Sequence, residues 1–183
     1  MDAVQQRKNF EHMFRTFDVN GNGTLGFDDY AQMTNAIAAE WGLSEGSSEH
    51  SALMDVVRQD WSKLSAFADK NSDDRISMKE FVDYYIAEVS TDEGFEMQVN
   101  SMTEMVIGLV DRDGDGRIDE ADYARLERII GVSDPAAITA SFAALDTDRD
   151  GVVTLGEIQQ AAAQFHRPNG PSDPGNWILG PIG

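Results

Sequence analysis

Apolar residues recur at spacings of three and four residues on both sides of four polar stretches of the chain. In the first segment the apolar positions are Phe10, Met13, Phe14 and Phe17. Such spacing places apolar side chains on one face of a helix, so the pattern predicts eight amphipathic helices and an all-α fold. We interpret the stripes as core-facing positions. The alternative is that some of them line a groove for a ligand or a target protein.

Helix-breaking residues predict where these helices end. The segment 42–51 is rich in Gly, Ser and Glu and predicts a break between the first two polar stretches. Gly131 suits the end of a helix, and Ser133 or Asp134 before Pro135 suits the start of the next one. After Arg167 the run Pro-Asn-Gly-Pro-Ser-Asp-Pro-Gly predicts a tail that is not helical.

The four polar stretches share a twelve-residue pattern of oxygen-bearing side chains. They span 18–29, 69–80, 111–122 and 146–157, here called loops 1 to 4. Each fits, fully or with one change, the EF-hand loop, in which positions 1, 3, 5, 7, 9 and 12 offer oxygen ligands to calcium. Position 8 is apolar in all four loops, which predicts a short two-stranded ribbon between paired loops. The pattern therefore predicts four helix–loop–helix units in two pairs, packed into one compact globule.

The predicted metal ligands follow from these positions, with position 7 contributing a backbone carbonyl. They are Asp18, Asn20, Asn22, Thr24 and Asp29 in loop 1; Asp69, Asn71, Asp73, Arg75 and Glu80 in loop 2; Asp111, Asp113, Asp115, Arg117 and Asp122 in loop 3; and Asp146, Asp148, Asp150, Val152 and Glu157 in loop 4. Loop 4 fits the pattern best, and loop 1 has the fewest charged ligands.

Loops 2 and 3 depart from the pattern in different ways. Loop 3 carries five carboxylates but is closed by Asp122, which is shorter than Glu, so we predict a mixed Ca²⁺/Mg²⁺ site there. In loop 2, Asp74 replaces the glycine of position 6, where a left-handed backbone costs Asp about 1 kcal/mol more than Gly. The ligands of loop 2 are intact, and both an occupied and a purely structural loop 2 stay open. We therefore predict three to four bound Ca²⁺ ions.

The charge and composition narrow the possible partners. The chain has 33 acidic residues against 14 Lys and Arg, a formal net charge of -19. Such a charge repels nucleic acids and anionic membranes, and attracts divalent cations. There is no cysteine, which excludes disulfides and thiolate chemistry. No motif surrounds His12, His50 or His166, so we predict that the protein is not an enzyme; a small-molecule ligand is a weaker alternative.

Neither a signal peptide nor a membrane span is expected. Residues 1–10 are polar, and no apolar run approaches the length of a spanning helix. We predict a cytoplasmic monomer.

The loops, their unequal spacing and the apolar tail resemble the sarcoplasmic calcium-binding protein family, and its bacterial calerythrin branch in particular. Loops 1 and 2 begin at residues 18 and 69, a wide interval, and the tail contains Trp177, Ile178 and Leu179. The resemblance covers essentially the whole chain. It implies two EF-hand pairs packed together, calcium buffering or transport in the cytosol, and no catalytic activity. In such proteins the second loop is commonly inactive, and this sequence departs from them because loop 2 keeps its ligands.

We expect an N-terminal EF-hand pair over 1–90, a C-terminal pair over 91–167, and a Pro/Gly-rich tail over 168–183. The predicted function is calcium buffering, with the tail docked over the helix stripes as a plug; a disordered tail is the alternative. The alternative function is a calcium sensor that exposes a Met-rich groove to a protein partner, because Met side chains adapt to varied surfaces.

Overall fold

A computed structural model describes residues 1–111 and 114–182, and this part of the chain contains eight α-helices and four two-residue strands. In chain order they are α1 (Ala3–Phe17), β1 (Thr24–Leu25), α2 (Phe27–Glu40), α3 (Ser48–Ala68), β2 (Ile76–Ser77), α4 (Met78–Glu88), α5 (Asp92–Val110), β3 (Arg117–Ile118), α6 (Glu120–Ile129), α7 (Pro135–Leu145), β4 (Val153–Thr154) and α8 (Leu155–His166). The predicted all-α architecture is confirmed. Within the described ranges, none of the helices combines the length and apolar character that crossing a membrane requires.

Local side chains set the ends of the helices. The Asp2 carboxylate accepts hydrogen bonds from the backbone N–H groups of Val4 and Gln5, and so satisfies donors at the start of α1 that have no partner within the helix. Asp134 caps α7 in the same way, with Pro135 at the first helical position. Of the two residues predicted to begin this helix, Asp134 is therefore the one that does so. Gly131 follows α6 with φ +90°, as expected at a helix C-terminus.

Two short ribbons join the loops in pairs. Strand β1 pairs with β2 in antiparallel fashion, with Leu25 opposite Ile76. Strand β3 pairs with β4 in the same way, with Ile118 opposite Val153. All four of these position-8 side chains are fully buried, so their apolar character is explained by the ribbon and the core beneath it. The predicted ribbons between loops 1 and 2 and between loops 3 and 4 are confirmed.

One continuous apolar core connects the two pairs of loops. In the N-terminal part, Phe14 and Phe81 pack edge to face with ring centroids 5.6 Å apart. Phe10 of α1 also packs against Phe165 of α8, with centroids 6.1 Å apart, and so ties the two halves together. Helices α2 and α6 form a second contact between the halves. The units are therefore packed into one globule, as predicted.

The C-terminal tail is docked on this globule. Ile178 and Leu179 are buried, at 0% and 1% exposure. The His12 ring Nε2 lies 2.8 Å from the Leu179 carbonyl oxygen, and Asn9 of α1 donates to the Asn176 side chain at 3.0 Å. The structure thus has the docked tail rather than the disordered alternative. It differs from the expectation in one respect, because Pro174–Trp177 forms a 3-10 turn. A proline at the first position of a turn needs no N–H, which is why the turn is tolerated.

Candidate metal centres

Loop 4 brings its acidic side chains to one point. The carboxylates of Asp146, Asp148 and Glu157 each place one oxygen within 4.8 Å of the others. Asp146 accepts hydrogen bonds from the backbone N–H groups of Asp150 and Gly151, at 3.1 and 3.0 Å. These bonds curl the loop around the Asp146 carboxylate. The donor set is made of hard oxygens, as calcium requires, so the residues present fit this ion.

The closing carboxylate of loop 4 is held on both oxygens. Oε1 of Glu157 accepts from the backbone N–H and the hydroxyl of Thr147, at 2.8 and 2.9 Å. Oε2 accepts from the backbone N–H and the hydroxyl of Thr154, both at 2.9 Å. Partial burial raises the pKa of Glu157, but these bonds outweigh it and leave the pKa below its ordinary value. Thr147 is not among the residues predicted from the sequence, because position 2 carries no ligand in the EF-hand pattern.

In loop 2, similar hydrogen bonds hold the first and the last acidic side chains. Its carboxylates do not come together at one point as those of loop 4 do. Asp69 accepts from the backbone N–H of Ser72 at 2.7 Å and from that of Asp74 at 3.1 Å. Hydrogen bonds from the Ser77 hydroxyl and backbone, at 2.7 and 2.9 Å, lower the pKa of Glu80. The amide oxygen of Asn71 accepts from the Asp73 backbone at 2.9 Å. At position 7, the Arg75 N–H is bonded to Asp73 and its side chain is paired with Asp28 of loop 1.

Loop 1 relies on amide oxygens and two carboxylates. Asp18 accepts from the backbone N–H groups of Asn22 and Gly23, at 3.0 and 2.9 Å. The closing Asp29 is fully buried, and it accepts from the Asn20 backbone at 3.2 Å and the Gly26 backbone at 2.9 Å. The N–H and hydroxyl of Thr24, at position 7, both donate to the Asn22 side chain. Loop 1 is thus closed at its twelfth position like loops 2 and 4.

Loop 3 is closed differently. Asp111 accepts from the backbone N–H groups of Gly114 and Gly116, at 2.9 and 3.0 Å. The Arg117 backbone donates to Asp115 at 2.8 Å, but the carboxylate of Asp122 is paired with Arg125 of α6. In loops 1, 2 and 4 the residue at position 12 instead accepts from the N–H of position 9. The predicted ligand Asp113 lies outside the described residues.

The backbone of the loops is left-handed at two positions rather than one. Position 6 has φ +61° at Asp74, as predicted, and φ +89° at Gly151. Position 4 is left-handed in all four loops, at Gly21, Ser72, Gly114 and Arg149. The left-handed conformation of position 4 is not predictable from the sequence, because loops 2 and 4 have Ser and Arg there and not glycine. A second left-handed residue turns successive N–H groups inward toward the first aspartate.

Comparisons with known proteins agree with this geometry. The model of the type I dockerin domain matches residues 109–159, which contain loops 3 and 4, and the model of the EF-hand domain pair matches residues 6–37, which contain loop 1. Calerythrin from Saccharopolyspora erythraea is 27% identical over 157 residues, which cover 84% of this chain and 87% of calerythrin.

Solved structures extend the similarity to the whole fold. A calcium-binding protein from Streptomyces coelicolor is 33% identical, covers 90% of this chain and 99% of its own, and superposes with a TM-score of 0.66. A sarcoplasmic calcium-binding protein from amphioxus is 16% identical, covers 98% and 97%, and superposes with a TM-score of 0.70. The identity to the Streptomyces coelicolor protein establishes the family, and the superposition on the amphioxus protein shows the shared fold. Together with the four loops, they show that this chain is a calcium-binding EF-hand protein of the sarcoplasmic calcium-binding protein and calerythrin family.

Proposed function

We propose that the protein is a calcium buffer or transport protein without catalytic activity. The observation that carries the proposal is the docked tail, whose Ile178 and Leu179 are buried against the helices. A sensor needs an apolar surface that becomes free when calcium binds. Here part of the apolar surface of the globule is already covered by the chain itself, which favours storage of ions over presentation of a binding face.

Three to four ions are bound in this proposal, through the side chains at positions 1, 3, 5 and 12 of each loop and the carbonyl at position 7. The residues are those predicted from the sequence, from Asp18–Asp29 in loop 1 to Asp146–Glu157 in loop 4. The support is strongest for loop 4, because three of its carboxylates already converge. An occupied loop 2 is supported by the hydrogen bonds that hold Asp69 and Glu80 in place.

Loop 3 is the proposed mixed Ca²⁺/Mg²⁺ site. The ion pair between Asp122 and Arg125 occupies Oδ1 of this carboxylate, which leaves the other oxygen for an ion unless the pair breaks. Mg²⁺ prefers six ligands and short distances, whereas Ca²⁺ accepts up to eight. A closing residue that gives one oxygen therefore favours the smaller ion more than the two-oxygen Glu157 does.

The remaining parts of the proposal concern organisation and surroundings. We place an N-terminal pair in 1–90, a C-terminal pair in 91–167 and the tail in 168–183, in a cytoplasmic monomer. The net charge of -19 supports the absence of nucleic-acid and anionic-membrane partners. Calcium ions are the expected ligands, and no protein partner is required.

A calcium sensor is the second candidate, and one feature of the structure favours it. An apolar crevice of about 180 Å³ lies between α1, α2, α3 and α5, lined by residues that include Phe17, Tyr30, Met33 and Met105. Met97 is also 49% exposed on α5. The Streptomyces coelicolor relative is described in terms of calcium-mediated regulation in prokaryotes. A partner helix that inserts an apolar side chain into this crevice is the form such regulation would take here.

A calcium titration in the presence of Mg²⁺, read by binding of the apolar dye ANS, tests the two candidates. A buffer binds calcium tightly with little change in dye binding, whereas a sensor gains a large dye signal on calcium loading. Ile178→Ala should raise dye binding in the calcium form by loosening the tail. Leu155→Ala is the matched control, because Leu155 is 46% exposed and lies outside the tail. A large calcium-dependent dye signal in the unmodified protein would reject the buffer.

A further inference from the structure

Glu127 is a buried carboxyl group that the calcium loops do not use. It lies on α6, is 0% exposed, and neither of its carboxyl oxygens has a hydrogen-bond partner among the described residues. The hydroxyl of Ser141, on the neighbouring α7, is buried without a partner as well. A buried carboxylate without hydrogen bonds or a counter-ion is strongly disfavoured, whereas the neutral acid is tolerated. The surroundings therefore select the protonated form.

The tail forms the wall above this carboxyl group. Gly180 has φ +79°, and a Cβ atom at this position would lie 2.8 Å from Oε2 of Glu127 and 3.0 Å from Cγ2 of Val132. The hydroxyl of Tyr123, one turn before Glu127 on α6, donates to the Trp177 carbonyl at 3.0 Å. The phenol hydroxyl thus lies next to Glu127 while it donates to the tail. Docking of the tail is what completes the burial of Glu127.

No positive charge faces Glu127 in the described residues. On α6, Arg125 and Arg128 lie in exposed pairs with Asp122 and Glu40. Tyr123 is the titratable neighbour, and burial raises its pKa well above the ordinary value, so it stays neutral. From α7 the facing group is Ser141, and the tail contributes backbone only.

On the far side of the tail, from α1, His12 contacts the Leu179 carbonyl. Burial lowers its pKa, so its ring is neutral at physiological pH.

We propose that Glu127 is a proton-dependent latch for the C-terminal tail. With a neutral carboxyl group, residues 174–182 close over α6 and α7. Once the carboxyl group is ionised, Glu127 carries a buried charge without a partner. Release of the tail exposes this charge to water, so ionisation favours the released tail. The latch controls whether the tail covers the apolar surface of the helices. It does not depend on how many loops hold calcium.

The direction of the pH effect follows from burial. Burial raises the pKa of Glu127 from 4.5 to about 7, and the nearby Tyr123 hydroxyl opposes this rise more weakly. The docked tail therefore binds the proton more tightly than the released tail. Docking is strongest at low pH, weakens as the pH rises from 4.5 to about 7, and is constant above that. If the released carboxyl has its ordinary pKa, raising the pH from about 5 to about 8 weakens docking by roughly 70-fold.

The test uses the full chain labelled with fluorotryptophan and held in excess calcium. The three tryptophans give separate fluorine NMR signals, with that of Trp177 assigned from Trp177→Phe. Trp177 reports the tail, while Trp41 and Trp61 lie at the end of α2 and within α3 and report the rest of the fold. Urea is titrated at several pH values between about 5 and 8, and the midpoint of each signal is measured.

Acid also destabilises the whole fold through buried His166 and the tail contact through His12, and the Glu127 variants share both effects. We therefore expect the Trp177 midpoint of the wild type, measured relative to that of Glu127→Gln, to fall between about pH 5 and pH 7 and then to level off, with little relative change for Trp41 and Trp61. Glu127→Gln keeps the shape and stays neutral, so its Trp177 midpoint should keep only the pH dependence that comes from the histidines; Glu127→Met is the second variant if the amide is poorly tolerated. An equal pH dependence in the wild type and both variants overturns the latch. A joint shift of all three tryptophan signals in the wild type relative to Glu127→Gln overturns it too, since Glu127 then acts on the whole fold.

Discussion

Arg167 links the end of α8 to the junction between α4 and α5, and removing it should destabilise the whole globule. Its Nε donates to the Val89 carbonyl at 2.9 Å, and one terminal nitrogen donates to the Thr91 carbonyl at 2.8 Å. The guanidinium carbon also lies 4.0 Å from the centroid of the Phe95 ring. Val89 caps the C-terminus of α4, where a cation is favoured by the free carbonyls of the helix end. One side chain therefore holds an element from each half of the molecule.

The cost of Arg167→Ala can be worked out from these contacts. The side chain is 27% exposed, so each of the two bonds to carbonyls contributes about 1 kcal/mol rather than the full value of a buried charged bond. The contact with Phe95 adds about 0.5–1 kcal/mol. The pair with Asp92 at 3.0 Å adds close to nothing, because Asp92 is 93% exposed. The expected loss is about 2.5–3 kcal/mol in the free energy of unfolding.

Urea denaturation followed by circular dichroism at a fixed calcium concentration measures this loss. Arg167→Lys is the matched control, because it keeps the charge but cannot bridge the two carbonyls with one planar group. It should fall between the wild type and Arg167→Ala. Asp92→Ala should be nearly neutral. The stabilising role of Arg167 is refuted if Asp92→Ala lowers the free energy of unfolding as much as Arg167→Ala does. It is also refuted if Arg167→Ala lowers that free energy by less than about 0.5 kcal/mol.

Three further changes test other parts of the structure. Thr147→Val removes one of the four hydrogen bonds that hold Glu157 and should weaken calcium binding at loop 4 by about 1 kcal/mol in calorimetry, whereas Thr147→Ser should retain it; equal losses in both would contradict the role of the hydroxyl. Asp74→Gly relieves a left-handed backbone and should raise the unfolding free energy by about 0.5–1 kcal/mol in urea titrations, and a decrease would contradict this. Burial lowers the pKa of His166 from 6.5 to about 4, so the unfolded state binds the proton more tightly and stability falls as the pH drops through this window, by up to about 3 kcal/mol. Urea titrations from pH 7 to pH 4 should find that His166→Gln loses less stability with acid than the wild type; equal losses would contradict the assignment.

The features that the sequence predicted well depend on neighbours along the chain. The ligand spacing, the apolar position 8 and the Asp134–Pro135 helix start are local patterns with a direct structural meaning. The left-handed conformation of Asp74 was predictable for the same reason, because position 6 of the loop requires it. Each of these needs only a few residues to be specified.

The features that the sequence did not predict depend on contacts between distant segments, or on backbone hydrogen bonds that the type of side chain does not reveal. Arg149 is left-handed at position 4 although nothing in its chemistry favours that conformation; the hydrogen bonds to Asp146 impose it. The pairing of Asp122 with Arg125 needs the rotamers of both side chains. The burial of Glu127 depends on a tail more than fifty residues away, and no local pattern distinguishes it from an exposed helical Glu. Such effects belong to tertiary packing.

Counting the bound ions tests the central claim most directly. Native mass spectrometry of the full chain in excess calcium should show three to four calcium ions, and Asp146→Ala should lose one of them, because Asp146 is the proposed first ligand of loop 4 and organises that loop through Asp150 and Gly151. The same number of ions in Asp146→Ala as in the wild type would contradict the account of loop 4, and no bound calcium in the wild type would contradict the whole account.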